Sequence, residues 1–271
     1  MKVLVTGSSG KLGCYLMQRG GVQGCTRNDF DLTCEDLEVR LDELGPSAVI
    51  HTAALSAIAG CLGRPEQADL VNHQVSARIG RWCCARGARL IYVSTDMVFD
   101  GESAPYGEDS RAVPLSEYGW SKLRGEQAVL EQGHLVARLA LMVGPALGRS
   151  LSYYDQLLGN LRSGVSVSLF ADEWRGMISY EDAAEALVRL SAGPGTGIVH
   201  LAGPRVSRLD FGRLLAAQLG CFSLVGAGQR SDYPSPEPRP RDLTMLSGRW
   251  SELLPGWKPR TLVEQMPAWL T

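Results

Sequence analysis

The feature that most constrains the fold is a glycine-rich turn near the start of the chain. Lys2–Thr6 is a nearly continuous apolar run, typical of a strand buried on both faces, and Lys11–Arg19 has the pattern of a helix. The segment that joins them reads Thr6-Gly7-Ser8-Ser9-Gly10-Lys11-Leu12-Gly13. Glycines in such a turn allow a tight bend, a close approach of the backbone to a pyrophosphate, and close packing of helix on strand.

We therefore predict that this turn binds the phosphates of a nicotinamide dinucleotide, with the helix N-terminus facing them. The residues expected to contact this cofactor are Gly7, Ser9, Gly10, Lys11, Leu12 and Gly13. The alternative is a glycine-rich turn that binds nothing.

The end of the second predicted strand, Val22–Thr26, bears on the choice of cofactor. A carboxylate there accepts hydrogen bonds from the ribose of NAD, whereas a cation suits the 2′-phosphate of NADP. Arg27 is the nearest charge and favours NADPH, while Asp29 keeps NADH open. Asp31 either meets the adenine amine or is a helix N-terminal carboxylate. We expect Arg27, Asp31 and Leu32 among the cofactor contacts.

Short apolar runs alternate with longer amphipathic ones through the first half of the chain. After the second strand we predict, in order, helix Glu35–Leu44, strand Ala48–Thr52, a long helix from Pro65 to about Arg86, strand Arg89–Ser94, helix Tyr118–Gln132 and strand Leu135–Leu139. This alternation predicts an α/β fold, a doubly wound parallel sheet with helices on both faces.

The alternation of short apolar runs with longer amphipathic runs changes after Gly144. The predicted elements are helix Leu151–Arg162, strand Ser166–Phe170, helix Tyr180–Leu190, strand Gly197–Leu201 and helix Leu209–Leu219. Asp232–Arg241 contains four prolines, a density that forbids a helix or an interior strand, so it forms either a linker or a loop folded over a cleft. We predict a dinucleotide-binding domain at 1–148 and a mostly substrate-binding lobe at 149–271, with elements near 177–203 returning to the first domain.

Composition narrows the class of protein. Hydrophobic residues make up 45% of the 271-residue chain and the net charge is −2, as in an ordinary globular protein without a basic surface for nucleic acid. No apolar run reaches membrane-helix length, and the chain enters its glycine turn too early to leave room for a signal peptide. Seven cysteines show neither Cys-x-x-Cys nor ligand spacing to a histidine. We expect a cytoplasmic protein with free thiols, no metal, no nucleic-acid partner and no membrane contact.

A tyrosine and a lysine lie one helical turn apart in Tyr118-Gly119-Trp120-Ser121-Lys122. A lysine cation beside a phenol lowers the pKa of the phenol because it stabilises the ionised form. Ser94 and Thr95 end a predicted strand, and ligands of open α/β sheets bind at such carboxyl ends. A hydroxyl there can hold a carbonyl oxygen while Tyr118 delivers a proton.

Together these segments resemble the extended short-chain dehydrogenases/reductases, and within them the dTDP-4-dehydrorhamnose reductase subfamily. The blocks that carry the resemblance are the glycine turn, His51-Thr-Ala-Ala54, Val71-Asn72, Ser94-Thr95-Asp96-Met97-Val98-Phe99-Asp100-Gly101, Tyr106-x-Glu108, Tyr118–Glu126 and Arg239-Pro240-Arg241-Asp242-Leu243. The resemblance covers nearly the whole chain. It implies a Rossmann-type sheet with a small C-terminal substrate lobe, and NADPH-dependent reduction of the C4 keto group of a 4-keto-6-deoxy nucleotide sugar.

The resemblance also implies residue roles. Thr95 matches the catalytic hydroxyl, Tyr118 the proton donor, and Lys122 its activator and a ligand of the nicotinamide ribose. Ala53 and Ala54 match the lining of the cofactor channel. Related dehydratases carry Thr-Asp-Glu where this chain has Thr95-Asp96-Met97, which argues against dehydration. The chain departs from the family at Ala59, Leu62 and Val143, which leaves the sugar open.

Several alternatives stay open. Arg175, Arg239 or Arg241 can hold a substrate diphosphate or lie on the surface, and we place Trp174-Arg175 in a loop. Asn72 either contacts the active-site backbone or is a packing residue. The subfamily also resembles the regulatory β-subunit of methionine adenosyltransferase, so a non-catalytic role as a protein partner is an alternative, as are a sugar epimerase and a reductase of other carbonyls. A homodimer is a further expectation, by analogy with Rossmann-type domains that pair through helices on one face of the sheet.

Overall fold

The computed structural model describes residues 2–148 and 150–270. Its strands are β1 (Val3–Thr6), β2 (Val22–Cys25), β3 (Ala48–His51), β4 (Arg89–Thr95), β5 (Leu135–Leu139), β6 (Met142–Val143), β7 (Val167–Phe170), β8 (Trp174–Gly176), β9 (Ile178–Ser179), β10 (Gly197–Leu201), β11 (Arg205–Ser207), β12 (Val225–Gly228) and β13 (Asp242–Leu243). The strands predicted at the start of the chain are therefore confirmed.

Helices connect these strands, and the longer ones lie close to the helices predicted from the sequence. They are α1 (Lys11–Met17), α2 (Leu37–Leu44), α3 (Ile58–Gly63), α4 (Pro65–Asp69), α5 (Val75–Arg86), α6 (Glu117–Glu131), α7 (Tyr153–Arg162), α8 (Tyr180–Ala192), α9 (Arg208–Leu219), α10 (Trp250–Leu253) and α11 (Leu262–Leu270). Helix α4, a π-helical turn at Leu70–Gln74, and α5 follow one another directly, so the long helix predicted from Pro65 to Arg86 is present with a bulge.

The central sheet has six parallel strands in the spatial order β10-β5-β4-β3-β1-β2. Strands β1, β3 and β5 are buried along their whole length because helices cover both faces. One face packs against α1 and α8, and the other against α2, α5 and α6. This arrangement confirms the α/β fold with a doubly wound parallel sheet.

The last strand of this sheet comes from the second half of the chain. Strand β10 pairs in parallel with β5, from Gly197 opposite Leu135 to Leu201 opposite Leu139. The division of the chain into two domains at residues 148 and 149 stays a prediction, and Arg149 lies outside the described residues.

Three smaller sheets lie outside the central one. Strand β8 pairs antiparallel with β11 and parallel with β13, β7 pairs with β12, and β6 pairs with β9. The expected loop at Trp174-Arg175 is therefore wrong. Strand β8 has three residues, too few for an alternating pattern to appear, and its partners lie far along the chain.

The proline-rich segment folds as its composition predicts. Residues 233–241, between a 3₁₀ turn at Arg230–Asp232 and strand β13, form neither helix nor strand. Six of them, Ser235–Pro240, line a cleft. Of the two readings of this segment, the loop over a cleft is the one confirmed.

Candidate active site

A cleft of about 1030 Å³ opens at the carboxyl ends of the central strands. It is lined by the glycine turn, the ends of β2 and β4, the start of α6, the segment after β3, and the proline-rich loop. All predicted site residues line this one cleft: Gly7, Ser9, Gly10, Lys11, Leu12, Gly13, Arg27, Asp31, Leu32, Ala53, Ala54, Thr95, Tyr118, Lys122, Arg175 and Arg239. The structure thus brings together residues from across the chain.

The glycine turn is shaped by close backbone contacts. Gly7 has a φ of 71°, and a Cβ built there would lie 2.8 Å from the backbone of Ala53. A Cβ on Gly13 would meet the carbonyl oxygen of Gly7 and lie 2.7 Å from Ser8 Cα. Helix α1 starts after Gly10 with no side-chain cap among the described residues. Side chains at these two positions would therefore collide with neighbouring backbone atoms.

The end of β2 presents a cation to the cleft. Asp29 Oδ2 accepts hydrogen bonds from the backbone N–H and the hydroxyl of Thr26, at 2.7 and 2.8 Å, and these bonds lower its pKa. Asp31 is held likewise by Thr33, so its pKa is also lowered. Arg27 and Asp31 line the cleft, and Asp29 is not among the lining residues described. Helix α2 starts only at Leu37, so the reading of Asp31 as its N-terminal carboxylate is wrong.

Strand β4 delivers a hydroxyl at its carboxyl end. Thr95 Oγ1 accepts a hydrogen bond from the backbone N–H of Met97 and donates one to Asp96 Oδ1, both at 3.2 Å. This bonding caps the short turn Asp96–Val98 and orients the hydroxyl. Burial raises the pKa of Asp96, whose other carboxylate oxygen has no hydrogen-bond partner among residues 2–148 and 150–270.

Helix α6 places Tyr118 and Lys122 in the same cleft. Ser116 caps the helix by accepting a hydrogen bond from the backbone N–H of Gly119 at 3.1 Å. Lys122 is fully buried; its Nζ donates to the carbonyl of Val93 at 2.7 Å and lies 3.9 Å from the centre of the Tyr92 ring.

Burial shifts the pKa values of both Lys122 and Tyr118. Burial lowers the pKa of Lys122 to about 7 because the ammonium is taken out of water, although Glu126 partly opposes this. Burial raises the pKa of Tyr118, and the neighbouring hydroxyl of Thr95 only partly offsets this rise. The prediction that Lys122 lowers the pKa of Tyr118 is therefore wrong for the protein without a bound cofactor. The phenol is instead held in its protonated form.

A buried asparagine and a buried histidine brace the strand ends. Asn72, in the π-helical turn, donates to the carbonyl of Leu55 and to Ser121 Oγ, both at 2.9 Å, and accepts from the N–H of Leu55 at 2.8 Å. It thus holds the backbone beside Ala53 and Ala54, as one reading predicted. His51 is bonded to Thr6 and Ser76, and burial lowers its pKa to about 3, which fits a structural residue.

Of the buried charges that cluster on the cleft wall, only Arg175 was among the predicted site residues. Glu173 Oε1 accepts from Arg208 Nε at 2.8 Å and lies 3.2 Å from an Arg175 nitrogen. Arg175 Nε is also 3.9 Å from Asp96, and its side chain is buried, so the alternative of a surface arginine is wrong for Arg175. These side chains come from the residue after β4, from β8, from the residue before β8 and from the start of α9, which only the fold brings together.

The proline-rich loop contributes two charged residues of different character. Glu237 is buried, and its Oε1 accepts a hydrogen bond of 2.7 Å from the backbone N–H of Glu117, the first residue of α6. Arg239 is exposed, with its guanidinium 5.5 Å from the centre of the Phe170 ring. Sequence reasoning missed Glu237.

Neither a metal centre nor a membrane span is present in the part of the chain that the structure describes. Within residues 2–148 and 150–270, no three His, Cys, Asp or Glu side chains converge as a metal site would require. The described helices are all too short or too polar to cross a bilayer.

A parallel doubly wound sheet, a glycine turn at its first strand, and a Thr–Tyr–Lys set in the same cleft define an NAD(P)-dependent oxidoreductase of the extended short-chain dehydrogenase/reductase class. The chain belongs to the family described as RmlD substrate binding domain, which matches residues 1–270.

Known proteins agree with this assignment. A Mycobacterium tuberculosis protein named dTDP-4-dehydrorhamnose reductase is 30% identical over 266 residues, covering 92% of this chain and 86% of that protein. A Xenopus laevis protein named methionine adenosyltransferase 2 subunit beta is 36% identical over 158 residues, 53% of this chain and 47% of that protein. The crystal structure of dTDP-4-dehydrorhamnose reductase from Bacillus anthracis, in complex with NADP, superposes with a TM-score of 0.90 at 21% identity, covering 100% of this chain and 99% of that one.

Proposed function

We propose that this protein uses NADPH to reduce the C4 keto group of a 4-keto-6-deoxy nucleotide sugar. The observation that carries the proposal is that Thr95, Tyr118 and Lys122 line the same cleft as the glycine turn and Arg27. The name of the Mycobacterium tuberculosis relative supports this substrate class.

The residues present fit a nicotinamide dinucleotide. Gly7 and Gly13 leave the turn without side chains where backbone atoms already crowd it, and Arg27 offers a cation at the end of β2. The cofactor, when bound, supplies the hydride. In this proposal Ser9, Gly10, Lys11 and Leu12 hold the pyrophosphate, Arg27 the 2′-phosphate, Asp31 and Leu32 the adenine, and Ala53, Ala54 and Lys122 the nicotinamide half. NADH is the second choice of cofactor.

The protein's own residues manage the proton and the carbonyl oxygen. Tyr118 is kept protonated by its raised pKa and donates a proton to the C4 oxygen as negative charge develops there. Thr95 holds that oxygen by turning its hydroxyl proton from Asp96 to the substrate, while the backbone N–H of Met97 keeps Oγ1 in place. Lys122 orients the cofactor ribose. Because its Nζ already donates a hydrogen bond to the carbonyl of Val93, the side chain keeps a fixed position in the cleft.

We propose that Arg239 is the main contact of the substrate diphosphate and that Arg175 is a secondary one. Guanidinium groups match phosphate oxygens in a bidentate fashion. Arg239 is exposed at the rim of the cleft, whereas the charge of Arg175 is already shared with Glu173. We therefore expect Arg239 to carry most of the diphosphate contact.

The test is NADPH oxidation, followed by absorbance, with dTDP-4-keto-6-deoxyglucose and with its 3,5-epimerised product. We expect turnover with at least one of them, and a loss of kcat of at least about 100-fold in Tyr118→Phe. Tyr233→Phe is the matched control, because Tyr233 is exposed and is not among the residues that line the cleft.

Two other outcomes would redirect the assignment. Turnover that survives Tyr118→Phe would remove Tyr118 from the chemistry. NADPH binding without turnover of either sugar would favour a different carbonyl substrate, or a non-catalytic role of the kind expected from the resemblance to a methionine adenosyltransferase subunit.

A further inference from the structure

The proline-rich loop is fastened to the helix that carries the Tyr–Lys pair. We call residues 234–240 the strap. Glu237, in the middle of the strap, accepts a hydrogen bond through Oε1 from the backbone N–H of Glu117 at 2.7 Å. That N–H belongs to the first turn of α6, where helix donors have no partner within the helix. The bond therefore ties the strap to the residue next to Tyr118.

The second carboxylate oxygen of Glu237 is unsatisfied. Glu237 is 9% exposed, and its Oε2 is buried with no hydrogen-bond partner among residues 2–148 and 150–270. A buried acceptor without a donor costs free energy, more so when it belongs to a carboxylate. Glu237 also lines the cleft beside Ser116 and Tyr118. A ligand hydroxyl that enters the cleft can therefore satisfy this oxygen once a small movement of the Glu237 side chain exposes it.

We propose that Glu237 Oε2 accepts a hydrogen bond from a hydroxyl group of the substrate's sugar, which makes Glu237 a specificity-determining residue. The proposal rests on the proposed function and deepens it, since it names a group on the substrate that this chain recognises. An ionised carboxylate only accepts hydrogen bonds, so its partner must be a donor, and a sugar ring supplies hydroxyl donors next to the reacting carbon.

The negative charge of Glu237 also influences how the substrate is oriented in the cleft. A carboxylate repels a diphosphate, so the substrate is disfavoured with its diphosphate near Glu237 and Tyr118. Arg239, two residues further along the strap, lines the same cleft with the opposite charge. The strap therefore orients the substrate with its sugar at Tyr118 and its diphosphate at Arg239.

The experiment compares the binding of dTDP and dTDP-glucose to the full-length protein by titration calorimetry in the presence of NADP⁺. The variants are Glu237→Gln and Glu237→Ala. Glutamine keeps one oxygen for the N–H of Glu117 but replaces the other with a donor, whereas alanine removes both. Glu43→Gln, an exposed position outside the cleft lining, controls for the change in net charge.

For the wild type we expect dTDP-glucose to bind more tightly than dTDP. In Glu237→Gln the affinity for dTDP-glucose falls roughly 10- to 100-fold, as for loss of a hydrogen bond to a charged group, while the affinity for dTDP does not fall and the melting temperature stays unchanged. Glu43→Gln behaves as the wild type. In turnover assays Glu237→Gln raises the KM for the sugar nucleotide and leaves the KM for NADPH unchanged.

Three results would overturn the inference. One is equal affinity for dTDP-glucose in Glu237→Gln and the wild type, with only Glu237→Ala impaired, which would make Glu237 a helix cap alone. Another is an equal loss of dTDP affinity in Glu237→Gln. The third is a wild type that does not distinguish the two ligands. Failure of the proposed function is seen separately, as absence of NADPH oxidation by the wild type, because the binding comparison requires no turnover.

Discussion

Lys122 links the active site to the stability of the protein. Burial lowers its pKa to about 7 from an ordinary value of 10.5. Between these two values the unfolded chain binds a proton that the folded chain has released, so folding becomes more favourable as the pH rises. We expect the free energy of unfolding to rise through this window by at most roughly 1.4 kcal/mol per pH unit from this one group.

The measurement is denaturant unfolding of wild type and Lys122→Met without cofactor, at about pH 7.5 and about pH 9. The difference in unfolding free energy between the two proteins should shift in favour of the wild type as the pH rises. The other titrating groups cancel in the comparison. A difference that does not change with pH would show that Lys122 titrates near its ordinary pKa.

Arg27 decides, in our proposal, which nicotinamide cofactor is used. Asp29 is bonded to Thr26, so the charge presented to the cleft at the end of β2 is positive, apart from Asp31 further on. We expect Arg27→Gln to raise the KM for NADPH roughly 10- to 100-fold and to leave the KM for NADH almost unchanged. Arg40→Gln, an exposed arginine paired with Asp36, is the control. Equal losses with both cofactors would contradict a 2′-phosphate contact.

At the scale of elements, the glycine turn and helix α1 form one packed unit. A Cβ on Gly13 has no space because it meets backbone atoms of Gly7 and Ser8, which cannot move as a flexible side chain can. We expect Gly13→Ala to lower the free energy of unfolding by about 2–3 kcal/mol. Gly63→Ala is the control, because its added Cβ would enter open space. Chemical denaturation without cofactor measures both, and equal stability of the two variants would contradict the close packing.

Helix α6 shows how an element carries function through its neighbours. Its spacing puts Tyr118 and Lys122 on one face, but the environment of that face comes from β4, the π-helical turn and the strap. A Cβ on Gly125 would collide with the carbonyl of Asn72 and the hydroxyl of Tyr92. The glycine thus lets α6 lie close enough to the sheet for Lys122 to reach Val93.

At the scale of the whole molecule, the cleft joins the central sheet to segments from the end of the chain. A ligand that binds only the folded cleft stabilises the whole fold, by about 2.7 kcal/mol at roughly 100 times its Kd. For a chain of this length we expect NADPH at that concentration to raise Tm by roughly 5–10 °C. NADH at the same concentration should raise it less. Thermal unfolding followed by fluorescence measures both, and an unchanged Tm with NADPH would contradict the cofactor site.

The amino-acid sequence by itself determined the central sheet, the glycine turn and the Tyr118–Lys122 pair. These depend on signals within a few residues of one another: apolar periodicity, glycine spacing and the helical turn. The ends of parallel strands meet at one edge, so these local signals also placed Thr95 near the turn.

Only the tertiary structure decided the rest, because burial and pairing depend on residues distant in the chain. Strand β8 exists through its partners β11 and β13, and Glu173 meets Arg208 across 35 positions. Glu237 meets Glu117 across 120 positions. The pKa of Tyr118 lies above its ordinary value, against the expectation from its spacing to Lys122, because the loss of water around the phenol outweighs the effect of Thr95. Burial likewise outweighs the attraction of Glu126 and lowers the pKa of Lys122.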